Sequence, residues 1–304
     1  MLRFSAVAIL AALFSSSVLA ADTLSVGDQR GNARAILEAA GELNQLPYRL
    51  EWHEFANAAP LLEAMRGGSI DAGSVGDAPL TFAVAAGLEA KAILATKYAG
   101  NAIIVKKGSA IHSVRDLVGK RLATVKGSSG HNLALQALAK AGVAADKVDF
   151  VFTTPAEATL VLDQGGVDAV ASWEPYVSFA THQSGARIIA DGKDYPALNY
   201  LIASNRAIHD KSQELRDFSQ RLIRARAWGA EHPQAYAAVI SKILRIPPEV
   251  ALSKVQREVN TVTGDQRQVV AIQQGTADLY VKNGLIPQPL KAGTFIDLRV
   301  SQEK

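Results

Sequence analysis

A short sequence pattern occurs twice in this chain and constrains its fold more than any other feature. In the first half, Gly67-Gly68-Ser69-Ile70-Asp71-Ala72 leads through an apolar run to Gly76-Asp77-Ala78-Pro79. In the second half, Gly165-Gly166-Val167-Asp168-Ala169 leads in the same way to Ser172-Trp173-Glu174-Pro175. Each copy is typical of a helix ending at a glycine pair, a short strand, an acidic residue and a helix that begins near a proline. The repetition predicts two related lobes.

Short β-type runs alternate with helical patterns along the chain. Strands are predicted at residues 24–27, 49–55, 72–75, 90–96, 102–106, 121–124, 148–152, 169–172, 187–190 and 200–203. Helices are predicted at residues 32–44, 60–66, 79–86, 131–141, 155–162 and 175–183, and most of the chain beyond residue 204 is predicted to be helical. This alternation is typical of an α/β fold in which helices cover a largely parallel sheet.

Residues 1–20 have the pattern of a secretory signal peptide. Arg3 gives a basic start, residues 4–14 form an apolar run too short to span a bilayer, and small or aliphatic side chains lead up to Ala20. We predict cleavage after Ala20 or Ala21. No second apolar run approaches membrane-spanning length, so we expect an exported, soluble mature chain.

The chain contains no cysteine. Disulfide bonds and thiolate catalysis are therefore excluded. Lipid attachment behind a signal peptide also needs a cysteine, so we expect the mature protein to diffuse freely, which suits a periplasmic location.

The charge balance argues against nucleic acid as a partner. The chain carries 32 Lys and Arg against 29 Asp and Glu, and loss of Arg3 with the signal peptide leaves a net charge of +2. Proteins that bind the phosphate backbone of nucleic acids carry a larger and more clustered positive charge than this. The mature length suits two domains of ordinary size.

Four turns are predicted at the sheet edge where ligands bind. Ligands of open α/β sheets sit beyond the carboxyl ends of the strands. The turns that follow such strands are residues 28–32 and 76–79 in the first half, and 126–131 and 172–175 in the second. If the two lobes face each other, all four turns border one cleft.

The best candidate for an anion site is Ser128-Ser129-Gly130-His131, before a predicted helix. Helix N-termini present free N–H groups and the positive end of the helix dipole, and serine hydroxyls add donors. Gly130 would let the backbone approach a ligand closely. An ordinary N-cap by Ser128 or Ser129 explains the same residues equally well, although their position at the cleft favours the anion site.

Other residues of these turns have two interpretations each. Arg30 either binds the anion from the opposing lobe or is solvated on a helix surface. Trp173 either forms an apolar wall of the pocket or belongs to the core. Asp77 and Glu174 either bind a cationic group of the ligand or cap their helices.

The sequence has no enzyme or metal motif. The six histidines lack the spacing of metal ligands, and the nucleophile-elbow, dinucleotide-binding and phosphate-loop patterns are absent. We therefore expect a protein that is not an enzyme and that needs neither a metal nor another cofactor.

A set of ordered motifs runs through the mature chain. They are Val26-Gly27-Asp28-Gln29-Arg30, Glu51-Trp52-His53-Glu54-Phe55, Pro60-Leu61-Leu62-Glu63-Ala64, Gly68-Ser69-Ile70-Asp71, Gly76-Asp77-Ala78-Pro79, Ser113-Val114-Arg115-Asp116-Leu117-Val118-Gly119-Lys120, Lys126-Gly127-Ser128, Trp173-Glu174-Pro175-Tyr176 and Gly284-Leu285-Ile286-Pro287. With them the chain resembles, nearly end to end, the aliphatic-sulfonate-binding proteins of ABC importers. Their wider group also binds taurine and nitrate.

This resemblance implies a two-lobed periplasmic-binding-protein fold of type II. Two crossover strands near residues 101–106 and 199–204 would act as a hinge. The first lobe would combine residues 22–102 with 205–304, and the second lobe would be residues 103–204. We expect a monomer that holds its ligand between the lobes.

The resemblance also implies a set of ligand-binding residues. Together with Arg30 and Glu174 from the predicted turns, the set is Gln29, Arg30, Asn57, Ala58, Gly76, Asp77, Ala78, Ser128, Ser129, Gly130, His131, Trp173 and Glu174. Two positions depart from the family pattern. Asp28 stands where an aromatic residue is usual, and it would accept an amine or hydroxyl of the ligand or pair with Arg30. Ala58 stands where glycine is usual, which narrows the conformations open to that turn.

The sequence thus predicts a periplasmic solute-binding protein that captures an organosulfonate and passes it to an ABC permease with its ATPase. Closure of the lobes around the ligand would accompany binding. The same role for taurine, nitrate, a carboxylate or an aromatic sulfonate is an alternative. An enzyme on the same fold is a third interpretation, but the related enzymes depend on cysteine, which this chain lacks.

Overall fold

The computed structural model describes residues 23–302, which form two sheets covered by helices. The predicted signal peptide, residues 1–20, lies outside the described residues. Within residues 23–302, no helix combines the length and the apolar composition needed to cross a membrane.

Six strands form the first sheet. They are β1 (Thr23–Gln29), β2 (Arg49–Phe55), β3 (Ala72–Gly76), β4 (Ala90–Lys97), β10 (Leu198–Ser204) and β11 (Thr261–Thr263). Their order across the sheet is β11-β4-β10-β3-β1-β2. Along β10, Leu201 and Ala203 belong to one core cluster, whereas Tyr200 and Ile202 belong to another. Both faces of the sheet are therefore buried, which explains why the strand is apolar throughout.

Five strands form the second sheet. They are β5 (Ala102–Val105), β6 (Arg121–Thr124), β7 (Asp149–Phe152), β8 (Ala169–Ser172) and β9 (Arg187–Asp191), in the order β7-β6-β8-β5-β9. Ile103 and Val105 face one cluster and Ala102 and Ile104 the other, so this sheet is also covered on both faces.

The helices follow the predicted alternation. They are α1 (Ala33–Ala39), α2 (Ala58–Arg66), α3 (Asp77–Ala85), α4 (Ser129–Lys140), α5 (Pro155–Asp163), α6 (Tyr176–Gln183), α7 (Asn205–Asp210), α8 (Ser212–Glu231), α9 (Pro233–Leu244), α10 (Pro248–Glu258) and α11 (Gln266–Lys282). Short 3-10 helices occupy Val114–Leu117, Ala145–Lys147, Gly192–Asp194, Ala292–Thr294 and Leu298–Ser301. The mostly helical character predicted beyond residue 204 is confirmed.

The two sheets share one topology, as the sequence repeat predicts. With β11 set aside, the orders β2-β1-β3-β10-β4 and β7-β6-β8-β5-β9 correspond strand by strand. The repeated aspartates also make the same contact. Asp71 Oδ2 accepts a hydrogen bond of 2.9 Å from Ser25 N–H in β1, and Asp168 Oδ2 accepts one of 2.8 Å from Arg121 N–H in β6. The repeated Asp therefore ties each glycine turn to the first strand of its sheet.

The prediction of a largely parallel sheet holds for the direction of most strands, but each sheet also contains an antiparallel strand that was not predicted. Strands β1, β2 and β3 are parallel, as are β6, β7 and β8. However, β10 lies between β3 and β4 and is antiparallel to both, and β5 lies between β8 and β9 in the same way. The chain reaches β5 and β10 by crossing from the other sheet. Their direction is therefore not set by the β–α units of the sheet in which they pair.

The chain passes between the sheets at residues 98–101 and 192–197. We predicted crossover strands at residues 101–106 and 199–204, and a second lobe of residues 103–204. These segments contain β5 and β10, each paired inside one sheet, and β10 belongs to the first sheet. An apolar run predicts a strand but does not specify the sheet in which it pairs.

The two crossing segments lie against each other. Gly192 N–H donates to the Asn101 carbonyl at 2.8 Å, and Tyr98 N–H donates to the Ala197 carbonyl at 3.0 Å. A Cβ atom on Gly192 would lie 2.5 Å from the Ala99 carbonyl oxygen. This close approach requires glycine, so the crossings form one packed connection between the sheets.

Candidate ligand-binding site

A cleft of about 520 Å³ lies beyond the carboxyl ends of strands from both sheets. All four turns predicted to border a cleft contribute to it, together with the turn after β2. The lining residues are Gln29, Arg30, Asn32, Glu54, Phe55, Ala56, Asn57, Ala58, Ala59, Gly76, Pro79, Tyr98, Val125, Lys126, Gly127, Ser128, Ser129, Trp173, Glu174, Pro175, Tyr176, Asn199, Leu244, Lys254 and Glu258. Nine of the predicted ligand-binding residues are in this set, and Asp77, Ala78, Gly130 and His131 are not.

The N-terminus of α4 opens into the cleft. Ser128 is its N-cap, and the Ser128 hydroxyl oxygen accepts a hydrogen bond of 3.2 Å from His131 N–H. This bond uses the oxygen as acceptor and leaves the hydroxyl proton free to be donated. Ser129 is the first helical residue, so its N–H has no acceptor within the helix. The two interpretations of this turn are therefore compatible, since Ser128 both caps the helix and lines the cleft.

Gly130 and His131 have structural roles instead of lining the cleft. A Cβ on Gly130 would lie 2.6 Å from the Ala171 carbonyl oxygen, so this glycine lets α4 pack against β8. His131 is 2% exposed, packs edge to face against two phenylalanine rings, and accepts a hydrogen bond of 3.2 Å from Gly127 N–H at Nδ1. Burial lowers the pKa of His131 to about 4. The imidazole is therefore neutral and organises the turn without adding a positive charge.

Only the first residue of the Gly76-Asp77-Ala78 turn lines the cleft. Asp77 and Ala78 are fully buried. The Asp77 carboxylate accepts hydrogen bonds from Ala78 N–H at 2.7 Å and from Leu198 N–H at 3.3 Å. Asp77 therefore joins the start of α3 to β10, in agreement with a capping role and not with contact to a cationic ligand.

Asp28 is also turned away from the cleft. Its carboxylate oxygens accept hydrogen bonds from Ala33 N–H at 3.1 Å and Arg34 N–H at 3.0 Å, at the start of α1. It is 4% exposed and forms no ion pair with Arg30, which is exposed at the cleft. The proposed roles of Asp28 as a ligand contact or as a partner of Arg30 are therefore wrong, because the N-terminus of α1 binds both carboxylate oxygens.

Aromatic side chains form one part of the cleft wall. The rings of Trp173 and Tyr176 meet edge to face, with centroids 5.9 Å apart. Phe55 and Tyr98 line the cleft from the first sheet and the crossing. Trp173 is half-buried and not a core residue. This wall offers apolar area to the tail of a ligand.

Glu174 lies at the cleft, but other protein groups already bind its carboxylate. Its side chain is 0% exposed; Oε1 accepts from Arg257 Nε at 2.7 Å and Oε2 accepts from Ser178 N–H at 3.1 Å. The Arg257 guanidinium also contacts Asp191 at 3.0 Å. Arg257 thus connects α10 to the ends of β8 and β9, and Glu174 has no free oxygen to offer a cationic ligand.

Sequence reasoning missed the contribution of α10. Lys254 and Glu258 line the cleft floor, are buried, and form an ion pair of 2.8 Å. Their spacing of four residues on a helix is a signal for such a pair. Nothing in the spacing shows that the pair is buried, since most charged pairs at this spacing lie on solvated helix faces. Tyr98 and Asn199 were missed because they lie beside the crossings.

The free cations at the cleft are Arg30 and Lys126, both exposed, for which no ion pair is found within residues 23–302. Among the same residues no cluster of histidine, aspartate or glutamate has the arrangement of a metal site. Glu54 is the lining carboxylate without an ion pair among the described residues. Hydroxyl groups, amides, helix N–H groups and the two cations outnumber it. Such groups suit a small anion.

Comparison with known proteins identifies the family. The model of the "NMT1/THI5 like" family matches residues 50–236. The chain belongs to the NMT1/THI5-like family. Within it, a protein of Escherichia coli K12 named as an aliphatic sulfonates-binding protein is 34% identical over 278 residues, covering 88% of this chain and 86% of the relative. The predicted resemblance to sulfonate-binding proteins is confirmed.

Solved structures confirm the two-lobed periplasmic-binding fold of this NMT1/THI5-like chain. The alkanesulfonate-binding protein of Xanthomonas axonopodis pv. citri, bound to MOPS, superposes with a TM-score of 0.82 at 28% identity, covering 90% of this chain and 98% of that one. The periplasmic aliphatic sulphonate-binding protein of Escherichia coli gives 0.80 at 31% identity, covering 92% and 99%. A desulfurization enzyme gives 0.65 at 16% identity, which is a likeness of fold alone.

The raised pKa values of two buried carboxyl groups lead to a prediction of how the stability of this NMT1/THI5-like protein depends on pH. Burial raises the pKa of Asp28 and of Asp77 from 3.8 to about 7. Between about pH 4 and pH 7 the folded protein keeps protons that the unfolded chain releases, so the free energy of unfolding falls as the pH rises through this window. His131 opposes this trend below about pH 6.5, because the unfolded chain there binds a proton that the buried imidazole does not, but one histidine offsets only part of the effect of two carboxyl groups. Urea unfolding at pH 5 and pH 8 should show the net loss.

Asp28→Asn should reduce that pH dependence because it removes one of the two titrating groups. Asp146→Asn is the matched control, since Asp146 is exposed. If the Asp28→Asn variant loses as much stability as the parent between pH 5 and pH 8, the pH dependence does not come from the Asp28 carboxyl group.

Proposed function

We propose that the mature protein binds an organosulfonate in the cleft and delivers it to an ABC permease with its ATPase. The observation that carries this proposal is the N-terminus of α4, where Ser128 and Ser129 face a cleft that Gln29 and Arg30 line from the other sheet. Family membership supports it, since the relatives described above are named for binding sulfonates. A periplasmic location and a monomeric state belong to the same proposal.

The proposed head-group site combines oriented donors with little formal charge. Ser129 N–H, the Ser128 hydroxyl and the helix dipole provide donors from one side. Gln29 Nε2 donates to the Ser74 carbonyl at 3.2 Å, which fixes its amide at the cleft. Asn57 accepts from Ala59 N–H at 3.1 Å and caps α2 at the opposite side. A sulfonate has three acceptor oxygens, and donors from several directions match it better than a planar pair would.

Closure of the lobes would complete the site. We propose that the crossings at residues 98–101 and 192–197 are the hinge, and that the lobes meet over the ligand. Removal of the anion from water would then strengthen each hydrogen bond to it. Catalysis is not part of this proposal, because the cleft residues contain no cysteine and because Glu174 and Glu258 are already bound to Arg257 and Lys254.

Calorimetry on the mature, ligand-stripped protein tests the proposal. The panel is methanesulfonate, butanesulfonate, taurine, an arylsulfonate, nitrate and sulfate. We expect saturable binding of an alkanesulfonate and no measurable binding of nitrate, which has no tail to contact the aromatic wall. Binding of nitrate alone, or of sulfate alone, would contradict the proposed ligand class.

Trp173→Ala tests the proposed contact between the alkyl tail of the ligand and the aromatic wall of the cleft. We expect it to weaken butanesulfonate binding roughly tenfold, because the indole supplies apolar contact worth about 1–2 kcal/mol. Methanesulfonate has almost no tail and should lose much less. Trp173→Phe is the control and should keep most of the affinity. An equal loss for the two sulfonates would place Trp173 at the head group instead.

A further inference from the structure

A small chamber lies behind the floor of the cleft. It has a volume of about 40 Å³ and polar walls that include Ser74, Arg226, Tyr236, Glu258 and Asn260. We call it the rear chamber. By volume it has room for about one to three water-sized groups. It is much smaller than the cleft and too narrow to hold a complete ligand.

The rear chamber adjoins the cleft. Gln29, Asn32, Gly76, Asn199 and Glu258 line both spaces. Gln29 is also part of the proposed head-group site, and its side-chain amide contacts the Ser74 carbonyl at 3.2 Å. A short substituent of a ligand held by its head group at the cleft would therefore enter the rear chamber by passing Gln29.

Three residues that line the rear chamber each carry a polar atom with no hydrogen-bond partner among the described residues. These atoms are Ser74 Oγ, Arg226 Nε and Asn260 Oδ1, and each is shielded from solvent. Ser74 as a whole is 7% exposed. A buried polar atom without a partner costs roughly 1–3 kcal/mol, so three of them around one space indicate that a polar group normally occupies it.

The charges around the rear chamber select for a neutral occupant. Arg226 interacts electrostatically with Glu258 and Asp28. Glu258 accepts from Lys254 at 2.8 Å and from Asn260 Nδ2 at 3.3 Å. An anionic substituent would be repelled by the Glu258 carboxylate, and a cationic one by Arg226 and Lys254. A neutral group avoids both costs.

The three free atoms also specify the kind of hydrogen bonding. Arg226 Nε is a donor, Asn260 Oδ1 is an acceptor, and Ser74 Oγ is either. An occupant that accepts from Arg226 Nε and from the Ser74 hydroxyl and donates to Asn260 Oδ1 satisfies all three. A hydroxyl group does this with a single oxygen, whereas an ether or a methyl group does not.

We propose that the rear chamber is a subsite for a hydroxyl group of the ligand, so that the protein prefers hydroxyalkanesulfonates to plain alkanesulfonates of the same length. This rests on the proposed function. Ser74, Arg226 and Asn260 are then specificity-determining residues, separate from the groups that hold the sulfonate.

Calorimetry with paired ligands tests this subsite. The pairs are plain and terminally hydroxylated alkanesulfonates with chains of two, three and four carbons. We expect the hydroxylated member to bind roughly tenfold more tightly at the chain length that reaches the rear chamber. Ser74→Ala should reduce that preference to about threefold or less without changing the affinity for the plain member. Thermal unfolding should show no loss of stability, because the Ser74 hydroxyl has no partner to lose.

Ser172→Ala is the matched control. Ser172 is 1% exposed and its hydroxyl also lacks a partner among residues 23–302, but it lines neither space. It should leave the preference unchanged. Equal binding of the two members at every chain length would show that the rear chamber holds water only. A preference unchanged by Ser74→Ala would show that the hydroxyl group binds at another place, which also overturns the assignment.

Two further ligands complete the test. Taurine carries an amine on its second carbon, and the second carbon of sulfoacetate is a carboxylate. Both compounds should bind less tightly than the best hydroxylated ligand. Tighter binding of either would overturn the subsite assignment. If plain alkanesulfonates bind and hydroxylation has no effect, the subsite fails while the proposed function stands. If no sulfonate binds, the proposed function fails and the subsite with it.

Discussion

Replacement of Ser129 by proline is expected to weaken sulfonate binding roughly 10- to 100-fold while leaving the protein folded. Ser129 is the first residue of α4, a position that proline tolerates well because its N–H has no acceptor in the helix. Ser128 has φ −80° and ψ 170°, a conformation compatible with a following proline. The substitution therefore removes one N–H and the Ser129 hydroxyl from the proposed head-group site and leaves the rest of α4 intact. A hydrogen bond to a charged group contributes about 1.5–3 kcal/mol, which is the basis of the expected loss.

Ser129→Ala is the matched control for this experiment. It keeps the N–H and removes only the hydroxyl, so we expect a much smaller loss of affinity. Calorimetry gives the affinities, and circular dichroism with thermal unfolding checks that both variants are folded. Unchanged sulfonate affinity in folded Ser129→Pro would contradict the placement of the head group at α4.

Replacement of Arg257 by leucine is expected to lower the free energy of unfolding by roughly 3–5 kcal/mol. Arg257 Nε lies 2.7 Å from Glu174 Oε1, and the guanidinium also contacts Asp191 at 3.0 Å. Glu174 is fully buried at the side chain. Loss of its partner leaves a buried carboxylate without compensation, which is a strongly destabilising change. Urea unfolding at pH 8 gives the magnitude.

The same substitution has a pH signature. Burial is the main reason that the pKa of Glu174 is already raised, and without Arg257 the pKa should rise further. The destabilisation should therefore be smaller at pH 5 than at pH 8, because protonation neutralises the carboxyl. Glu174→Gln in the Arg257→Leu background removes the charge and should recover most of the lost stability at pH 8. Failure of this rescue would mean that Arg257 acts through packing and not through the ion pair.

The sequence predicted the parts of the site that follow directly from strand ends. The turns at Gln29, Gly76, Ser128 and Trp173 each come after a recognisable strand, and all of them line the cleft. This works because the carboxyl ends of parallel strands meet at one edge of a sheet. The internal repeat also predicted that two such edges exist, and the matching strand orders of the two sheets agree with that prediction.

Side-chain direction within those turns was not predictable. Asp28 and Gln29 are adjacent, yet the carboxylate caps α1 while the amide lies at the cleft. Successive residues of a strand point to opposite faces, and which face becomes the cleft depends on the helix that packs against the other one. Gly130 and His131 were misjudged because α4 packs on the second sheet, which places Gly130 against β8 and His131 against Phe150 and Phe152 of β7.

The sequence by itself determined the α/β class, the two related halves, the absence of cysteine chemistry and the turns that meet at the ligand edge. These follow from local periodicity and composition, which depend only on neighbours along the chain. Tertiary structure alone decided that β5 and β10 pair across the repeat, that Arg257 links α10 to Glu174, and that Ser74, Arg226 and Asn260 enclose one small space. These contacts join segments far apart in sequence, and their partners are selected by packing and by the burial of charge.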